Sequence, residues 1–571
     1  MQGGKYMQNK IINKAFVISI LFILSGASIF SNINVNASMF DTVLSTNKNV
    51  ISSLLLKGVP PNEEWNITFG GIDYDDGYSV QQIDDGGYII AGFTNSFGSG
   101  NWDALLIKTD SSGAEEWNHT FGGESYDRGY SVKQTIDGGY IIAGCTQSFG
   151  AKYFDVWLIK TNSYGIEEWN HTFGGNSEDW GYSVQQTNDS GYIIAGYTNS
   201  YGAGESDFWL IKTDNNGIEE WNSTFGGTNH DRGYSVQQTN DYGFIITGYT
   251  VSYDDDYTGC DVLLIKTDPS GNKQWHQTYG GSGTKNKFDI GYSVQQTAEG
   301  GYIILGDTEI YYEAMADFFL IKTDSDGKQE WYKTYGGNYS DRGRFVQQTK
   351  DGGYILTGWA YSFTITNPDI WLIKTDSEGN ESWDLIFGHA ENSGDWGYSV
   401  RQTDDNGYII AGSTMPEGWK DYGSSNSNDL KGTDVWLIKV EGENLPPDAP
   451  KIDGIKRGVP GIEYNYTFVS NDIDGDSVYY YIDWNDSTTE EWIGPYESGI
   501  EVTVNHTWEE KGSYIIKAKA KDIYDSESDW ANFYLEIPRN REKTHLFFNW
   551  FLGRFQILGR LIHLMERKVA I

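Results

Sequence analysis

The sequence predicts an all-β protein built mainly from one repeated unit, and two observations lead to this class. A unit that opens with tryptophan occurs seven times, at Trp65, Trp117, Trp169, Trp221, Trp275, Trp331 and Trp383, with spacings of 52 to 56 residues. A period of this length is typical of solenoids, propellers and arrays. Each unit also carries four short strand patterns bounded by Gly, Asp and Asn, and no long helical pattern interrupts them.

The four strands of a unit are labelled A to D. In the second copy, A is GYSVKQT at 129–135, B is GYIIAGCT at 139–146 and C is DVWLIKT at 155–161, and D is WNHTF at 169–173. Asp137-Gly138 and the glycine after it supply the positive φ of a tight hairpin between A and B. Four antiparallel strands repeated radially describe a β-propeller blade.

The order of the strands also predicts how the repeats end. The first copy is preceded by a lone D strand at Trp65, and the last copy stops after strand C at 436–439. The lone strand is therefore predicted to complete the last blade, which would remove an open sheet edge. The predicted architecture of residues 61–443 is a seven-bladed β-propeller.

Composition and charge narrow the class of partner. The chain has 571 residues and a formal net charge of −39 at pH 7, which argues against nucleic acid because little would neutralise phosphates. Its two cysteines, Cys145 and Cys260, occupy different positions of the unit, so we expect no disulfide.

The N-terminal residues predict export. Residues 1–37 have the pattern of a signal peptide, with three lysines, an apolar run from Ala15 to Phe30 and a small-residue cleavage site ending at Ala37. An uncleaved anchor is the alternative, although the run is shorter than the ~20 residues of a spanning helix. Residues 38–60 would be a linker, and the protein would lie at the cell surface or outside the cell.

Four sequons agree with an exported glycoprotein, at Asn66, Asn118, Asn170 and Asn222. The alternative is that Asn and Thr recur because they occupy one face of strand D.

Two further segments follow the repeats. A proline-rich stretch from Leu445 to Pro450 marks a boundary, and residues 444–538 contain five strand patterns that predict a small β-sandwich. Residues 539–571 are basic, and their apolar residues step by four and three, at Phe547, Phe551, Phe555, Leu558, Ile562 and Met565. This predicts a short C-terminal amphipathic helix that contacts a membrane or envelope surface or docks a partner. Packing on the sandwich is the alternative.

The motif GGYIIAGxT…DxWLIKxDxxGxxxW resembles a repeat of exported archaeal and bacterial β-propeller proteins, and is similar to quinoprotein-like and WD40-like propeller repeats. That resemblance implies a glycine in the C–D turn, here Gly113, and a tryptophan that packs between blades, here Trp117. It implies no activity. The unit departs from the kelch repeat, whose glycine pair follows strand B, and from the sialidase Asp-box, which is one residue shorter.

Residues 447–538 resemble a polycystic-kidney-disease (PKD) domain, an immunoglobulin-like sandwich. The matching pieces are Asp472–Asp476, Asp483–Asp486, His506–Trp508 and Lys517–Asp522. The usual Trp-Gly-Asp-Gly is Trp484-Asn485-Asp486-Ser487 in this chain. The resemblance implies a spacer on a surface protein.

Two aspartates recur in all seven units. One precedes strand A, at Asp75, Asp127, Asp179, Asp231, Asp289, Asp341 and Asp395, and the other opens strand C, at Asp103, Asp155, Asp207, Asp261, Asp317, Asp369 and Asp434. We expect a structural role, because short carboxylates at strand starts accept backbone N–H groups. The alternative is a cation site of the oxygen-rich kind that calcium prefers.

A third acidic group, Asp472, Asp474 and Asp476, is a candidate metal site, with an ordinary loop turn as the alternative. We expect no cofactor other than calcium, which the recurrent aspartates or this acidic group could bind.

The loops between strands B and C differ in every copy and carry aromatic residues, at Phe97, Trp102, Tyr153, Tyr201, Tyr257, Tyr311, Tyr361, Trp419 and Tyr422. Variable aromatic loops on a constant scaffold predict a binding surface for a glycan or a surface protein. Loop drift after duplication is the alternative.

The sequence thus predicts an exported binding or adhesion protein with a PKD-like spacer. It has no HExxH, GxSxG or P-loop motif. The alternative is an exported carbohydrate-active hydrolase or lyase, whose two carboxylates would be hidden among eighty acidic residues.

Overall fold

The computed structural model describes residues 60–253, 259–280, 287–310, 315–363, 367–388, 394–415, 432–442 and 444–538. Every regular element in these ranges is a β-strand, which confirms the all-β class. No helix within these ranges is long and apolar enough to cross a membrane. The predicted signal peptide, linker and C-terminal helix lie outside the described residues.

The repeat region forms six antiparallel sheets of four consecutive strands each within the described ranges. The first three are β2 (Asp75–Gln82), β3 (Tyr88–Thr94), β4 (Asp103–Thr109) and β5 (Glu115–Phe121) in sheet 1; β6 (Asp127–Gln134), β7 (Tyr140–Thr146), β8 (Asp155–Thr161) and β9 (Glu167–Phe173) in sheet 2; and β10 (Asp179–Gln186), β11 (Tyr192–Thr198), β12 (Asp207–Thr213) and β13 (Glu219–Phe225) in sheet 3.

The next three sheets repeat this order of strands A, B, C and D. They are β14 (Asp231–Gln238), β15 (Phe244–Thr250), β16 (Asp261–Thr267) and β17 (Lys273–Tyr279) in sheet 4; β18 (Lys287–Gln296), β19 (Tyr302–Ile310), β20 (Met315–Thr323) and β21 (Gln329–Tyr335) in sheet 5; and β22 (Asp341–Gln348), β23 (Tyr354–Ala360), β24 (Asp369–Thr375) and β25 (Glu381–Phe387) in sheet 6.

Sheet 7 combines the two ends of the repeat region. Its strands are β26 (Asp395–Gln402), β27 (Tyr408–Thr414), β28 (Asp434–Val440) and β1 (Glu63–Phe69), in the order β1-β28-β27-β26. Trp65 lies opposite Lys439, and Phe69 lies opposite Val435. The predicted pairing of the lone D strand with the last C strand is therefore present.

The central strands of each sheet are buried on both faces. All seven residues of β7 and all seven of β8 are buried, which explains why their sequences are continuous apolar runs. Their side chains pack against the neighbouring sheets, so that β7 residues contribute to two hydrophobic clusters. The outer D strands are only partly buried, as the polar residues of WNHTF require.

Each D-strand tryptophan packs on the next sheet. The Trp117 ring lies 5.9 Å from the Tyr140 ring, measured between centroids. It also covers Gly165 in the next C–D turn, where a Cβ would lie 2.5 Å from the indole. The implied packing of tryptophan on a turn glycine is thus present, because only glycine leaves room for the ring.

The C-terminal segment forms two sheets over one core. One sheet contains β29 (Lys451–Gly454), β30 (Glu463–Val469) and β33 (Val502–Thr507), and the other contains β31 (Val478–Asp483), β32 (Thr489–Tyr496), β34 (Gly512–Lys521) and β35 (Ala531–Ile537). Tyr466, Trp484 and Trp508 are completely or almost completely buried between them. The sequence patterns identify five of these seven strands and miss β29 and β32.

Candidate binding face and central cavity

A repeated β-bulge directs one tyrosine of each A strand away from the ladder. In sheet 2, Gly129 pairs with Gly144 and Ser131 pairs with Ala143, so Tyr130 between them has no opposite residue. A bulge of this kind re-aims a side chain. Gly144 permits it, because a Cβ there would lie 1.7 Å from the Arg128 carbonyl oxygen.

The bulged tyrosines contact one another from sheet to sheet and line a cavity of about 480 Å³. The ring centroids of Tyr130 and Tyr182 are 5.0 Å apart, and those of Tyr398 and Tyr78 are 4.3 Å apart. Sheet 6 departs from the pattern, since Arg344 stands where the other copies have tyrosine. The tyrosines of the cavity are Tyr78, Tyr130, Tyr182, Tyr234, Tyr292 and Tyr398.

The B–C loops and the loops before strand A lie at the same end of each sheet. The Gln147 amide donates to the Tyr126 carbonyl at 2.9 Å, and the Asp127 amide donates to the Trp102 carbonyl at 2.6 Å. The second bond joins a B–C loop to the next copy. These loops therefore form one face, as the up-and-down strand order predicts.

One predicted residue of this face, Trp102, belongs to an aromatic cluster around Arg128. The Arg128 guanidinium lies 4.3 Å from the Trp102 ring centroid and 5.4 Å from that of Trp180. Trp102 stacks on Phe93 at 4.9 Å, and Phe154 lies 4.8 Å from Trp180. Aromatic and arginine side chains together are the residues that most often anchor a bound partner.

The Arg128 cluster joins copies one to three, and arginine recurs at the position of Arg128 in copies four and six, as Arg232 and Arg342. The position of Trp102 holds Phe154 in copy two and non-aromatic residues in copies three to seven: Ser206, Cys260, Ala316, Pro368 and Thr433. Sequence reasoning found Trp102 but missed Phe154, which has the same position in the next B–C loop. It also missed Arg128 and Trp180, because they lie in strand A and not in a loop. Tyr153, next to Phe154, is 41% exposed and adds an aromatic ring to the same face, with Lys152 Nζ 5.4 Å from the ring centroid.

Two other predicted residues belong to the repeated framework. Phe97 and Tyr201 occupy a position that also holds Phe149, Tyr253 and Phe363. Tyr201 packs on Trp209 at 5.5 Å and donates its hydroxyl to the Gly174 carbonyl at 2.8 Å. Both are about half exposed, but they recur because they cover the glycine pair after strand D. We therefore remove them from the variable surface.

The remaining predicted aromatics contribute less. Tyr361 is partly buried. Tyr257, Tyr311, Trp419 and Tyr422 lie outside the described residues.

The recurrent aspartates occupy the places that a structural role requires. Those of strand A are buried in all seven copies, and those of strand C are buried in copies one to three and half-buried in the others. Asp127 accepts hydrogen bonds from the Gly123 amide at 2.9 Å and from the hydroxyls of Thr146 and Ser148. It therefore fixes the loops at both ends of its hairpin.

The two aspartates meet in pairs across a glycine. A Cβ on Gly122 would lie 1.9 Å from Asp103 Oδ1 and 2.8 Å from Asp127 Oδ2. Burial, reinforced by Asp127, raises the pKa of Asp103. In copy six, burial and Asp395 raise the pKa of Asp369 to about 7. The charges of Asp103 and Asp369 therefore oppose folding.

Other carboxylates have the opposite shift because they pair with lysine. Lys160 of strand C is 3% exposed and lies 2.9 Å from both Asp137 and Glu168. Although burial opposes it, hydrogen bonds from Thr135 and Lys160 hold the pKa of Asp137 below its usual value.

These opposite shifts predict opposite pH effects on stability. A carboxyl whose pKa is raised by folding stabilises the native state below its unfolded pKa, and this contribution is lost as pH rises through the folded pKa. We expect the melting temperature of the parent to rise relative to that of Asp369→Asn as pH falls from 8 to 5. Thermal melts at four pH values in that range test this.

Asp137→Asn is the matched control. Folding lowers the pKa of Asp137, so its carboxylate stabilises the native state of the parent above the unfolded pKa of about 3.9. The parent should therefore lose stability relative to Asp137→Asn only below about pH 5. If the melting temperatures of the parent and of Asp369→Asn differ by the same amount from pH 8 to pH 5, the pKa of Asp369 is not raised by folding.

The candidate metal site of the C-terminal segment has three carboxylates close together. Asp472, Asp474 and Asp476 offer oxygen atoms within 4.8 Å of one another. Asp472 Oδ1 accepts the amides of Asp474 and Asp476, while its Oδ2 is buried without a hydrogen-bond partner. Burial raises the pKa of Asp472 and of Asp476. A bound cation would offset the repulsion between the three carboxylates, and calcium is the ion that such oxygen ligands suit.

Asp474 also joins this loop to the end of the repeats. Its Oδ2 accepts the Leu445 amide at 2.7 Å, and its Oδ1 accepts the side-chain amide of Asn406. The loop is therefore held in place by the chain itself, which accounts for part of its acidic composition without a cation.

Several solved structures are similar to parts of the chain. No family model and no curated protein matches the chain. The PKD domain of an M14-like peptidase from Thermoplasmatales archaeon SCGC AB-540-F20 is 50% identical over 17% of this chain and 100% of its own length, with a TM-score of 0.17. The β-1,2-mannobiose phosphorylase from Listeria innocua is 9% identical over 67% of this chain and 92% of its own, with a TM-score of 0.24. The chain is thus similar in sequence to a PKD domain over a minor part of its length.

Proposed function

We propose that the chain is an exported binding or adhesion protein whose seven sheets form a seven-bladed β-propeller. The pairing of β1 with β28 supports this arrangement, because it joins both ends of the repeat region in one sheet. The tyrosine contacts support it further, since they run from Tyr78 to Tyr130 at 5.2 Å and return from Tyr398 to Tyr78 at 4.3 Å.

The proposed binding surface is the loop face around Arg128, and its ligand is a glycan or a surface protein. The observation that carries the proposal is the contact of Arg128 with both Trp102 and Trp180, a combination that the other copies lack. Arg232 and Arg342 occupy the position of Arg128 in copies four and six, but Ser206 and Ala316 stand at the position of Trp102 in the copies that precede them. A framework role recurs in every copy, whereas a recognition role is needed once. Aromatic faces suit sugar rings and protein interfaces alike.

The other segments complete the proposal. The PKD-like segment would act as a spacer, with calcium at Asp472, Asp474 and Asp476 stiffening the loop that joins it to the repeats. The predicted signal peptide would export the chain. The basic residues 539–571 would hold it at the envelope by contact with an anionic surface.

An array experiment tests the function. The full chain is applied to immobilised glycans and to extracts of surface proteins, with calcium and with chelator. We expect selective retention of one ligand class, unchanged covalently after incubation. Retention of none would contradict the binding function, and cleavage of an arrayed glycan would favour the enzymatic alternative.

A further inference from the structure

Three cationic residues interrupt the repeat at the wall of the central cavity. The A strands read GYSVQQ in four of the seven copies, but Lys133 and Arg401 replace the first glutamine in copies two and seven, and Arg344 replaces the tyrosine in copy six. All three line the cavity, and none of the described residues that line it is Asp or Glu. Positive charge is thus concentrated there in a chain whose net charge is −39.

Arg344 is already compensated by other groups. Its guanidinium lies 3.9 Å from the Tyr292 ring centroid and 4.2 Å from that of Trp359. Its Nη1 lies 3.3 Å from Asp307 Oδ2. The uncompensated charges are therefore those of Lys133 and Arg401.

Lys133 and Arg401 have no acidic partner among the described residues. The Arg401 guanidinium lies 4.2 Å from the Phe345 ring centroid, and its buried Nε makes no hydrogen bond. Burial and the charge of Arg401 together lower the pKa of Lys133, and burial lowers the pKa of Arg401 to about 10. Because burial disfavours both charges, an anion bound in the cavity would stabilise both.

Their presence also removes bonds between sheets. In the five other copies the glutamine Oε1 accepts a backbone amide of the next sheet, as Gln81 does from Gln134 at 3.1 Å and Gln185 from Gln238 at 2.8 Å. Gln237, Gln295 and Gln347 do the same. Lysine and arginine have no acceptor. The substitutions therefore give up two framework bonds, which indicates a role other than stability.

We propose that the central cavity binds a small molecule through an anionic group, a carboxylate or a sulfate, held by Lys133 and Arg401. A volume of about 480 Å³ is in the range of small-molecule sites. Arginine presents two parallel donors to such a group, and lysine adds a point charge. The tyrosine hydroxyls and rings around the cavity would contact the rest of the molecule. Lys133 and Arg401 do not belong to the proposed face around Arg128, although Arg128 Nη1 donates to the hydroxyl of Tyr130 in the cavity wall at 3.1 Å.

Calorimetry on the full chain tests the site with three probes, glucuronate, glucose and sodium sulfate. Glucose matches glucuronate in size and lacks its charge. We expect glucuronate or sulfate to bind the parent, glucose to give no heat, and Lys133→Gln and Arg401→Gln each to weaken binding at least about tenfold. The double variant should not bind. Which of the two anions binds more tightly identifies the group.

Both variants restore the residue of the other copies, so they should fold with an unchanged or higher melting temperature. Lys451→Gln, an exposed lysine of β29, controls for net charge and should bind as the parent does. Absence of binding by the parent to both anions, equal binding of glucose, or undiminished binding by the double variant would each overturn the proposal.

Discussion

Deletion of residues 61–70 is expected to abolish the cooperative thermal transition of the repeat region. The deletion removes β1, whose Trp65, Ile67 and Phe69 pack in the core shared by sheets 7 and 1. Burial of one such side chain contributes about 1.5–3 kcal/mol, so the three together approach the whole stability of a typical domain, about 5–15 kcal/mol. It would also expose the backbone of β28 as a sheet edge.

A synthetic peptide with the sequence of residues 60–70 provides the control. Added in excess, it should pair with β28 and restore part of the transition, because strand addition supplies the same backbone hydrogen bonds. Calorimetric melts of parent, truncated chain and truncated chain with peptide make the comparison. A truncated chain that melts as the parent does would show that β1 is dispensable and would remove the main support for the propeller.

The second large effect is expected from Gly165→Ala. Gly165 has a φ of 73°, and a Cβ there would lie 2.5 Å from both Trp117 and His119. The left-handed conformation costs a side chain about 1–2 kcal/mol, and forcing the indole away adds about 1–3 kcal/mol. We expect the free energy of unfolding in urea to fall by about 2–5 kcal/mol.

Gly138→Ala separates the two contributions. Gly138 has a φ of 81°, and nothing lies within 4 Å of its added Cβ. This variant should lose only the backbone contribution of about 1–2 kcal/mol. Equal losses in the two variants would mean that the tryptophan does not hold the turn, and the account of sheet-to-sheet packing would then be wrong.

The strands of the repeats could be predicted from sequence because burial leaves a direct trace in them. Strands such as β7 and β8 are buried on both faces, so their apolar runs are unbroken and bounded by turn residues. In the C-terminal segment, β32 was missed because TEEWIGPY has neither alternation nor an apolar run and contains Gly494 and Pro495. Its place in the sheet depends on pairing with β31, which local sequence does not encode.

The candidate sites were harder to predict, because they depend on bulges and on neighbouring copies. Nothing in GYSVKQ alone shows that Tyr130 leaves the ladder, although the repeated Gly-Tyr-Ser is the trace of that bulge. Arg128 follows a recurrent aspartate and looks like a solvated charge until Trp102 of the preceding copy is placed beside it. A comparison of the copies position by position would have found Lys133, Arg344 and Arg401, because each interrupts an otherwise constant pattern.

The division into a repeated framework and a unique binding face is tested most directly by measuring affinity and stability together on three variants. Trp102→Ala and Tyr153→Ala should each weaken binding of the ligand found on the arrays. The loss of binding free energy should reach about 2 kcal/mol for a residue that anchors the ligand. Tyr153 is exposed, so its loss should change stability by no more than about 0.5 kcal/mol. Trp102 stacks on Phe93 and Arg128, so its loss will also cost some stability.

Asp127→Ala should do the opposite, since Asp127 is buried and bonds to Gly123, Thr146 and Ser148. We expect a lowered melting temperature with unchanged affinity, the affinity being measured below that temperature by surface plasmon resonance. If Asp127→Ala abolishes binding at unchanged stability while both aromatic variants bind as the parent does, the recurrent carboxylates are the binding site and the division is wrong.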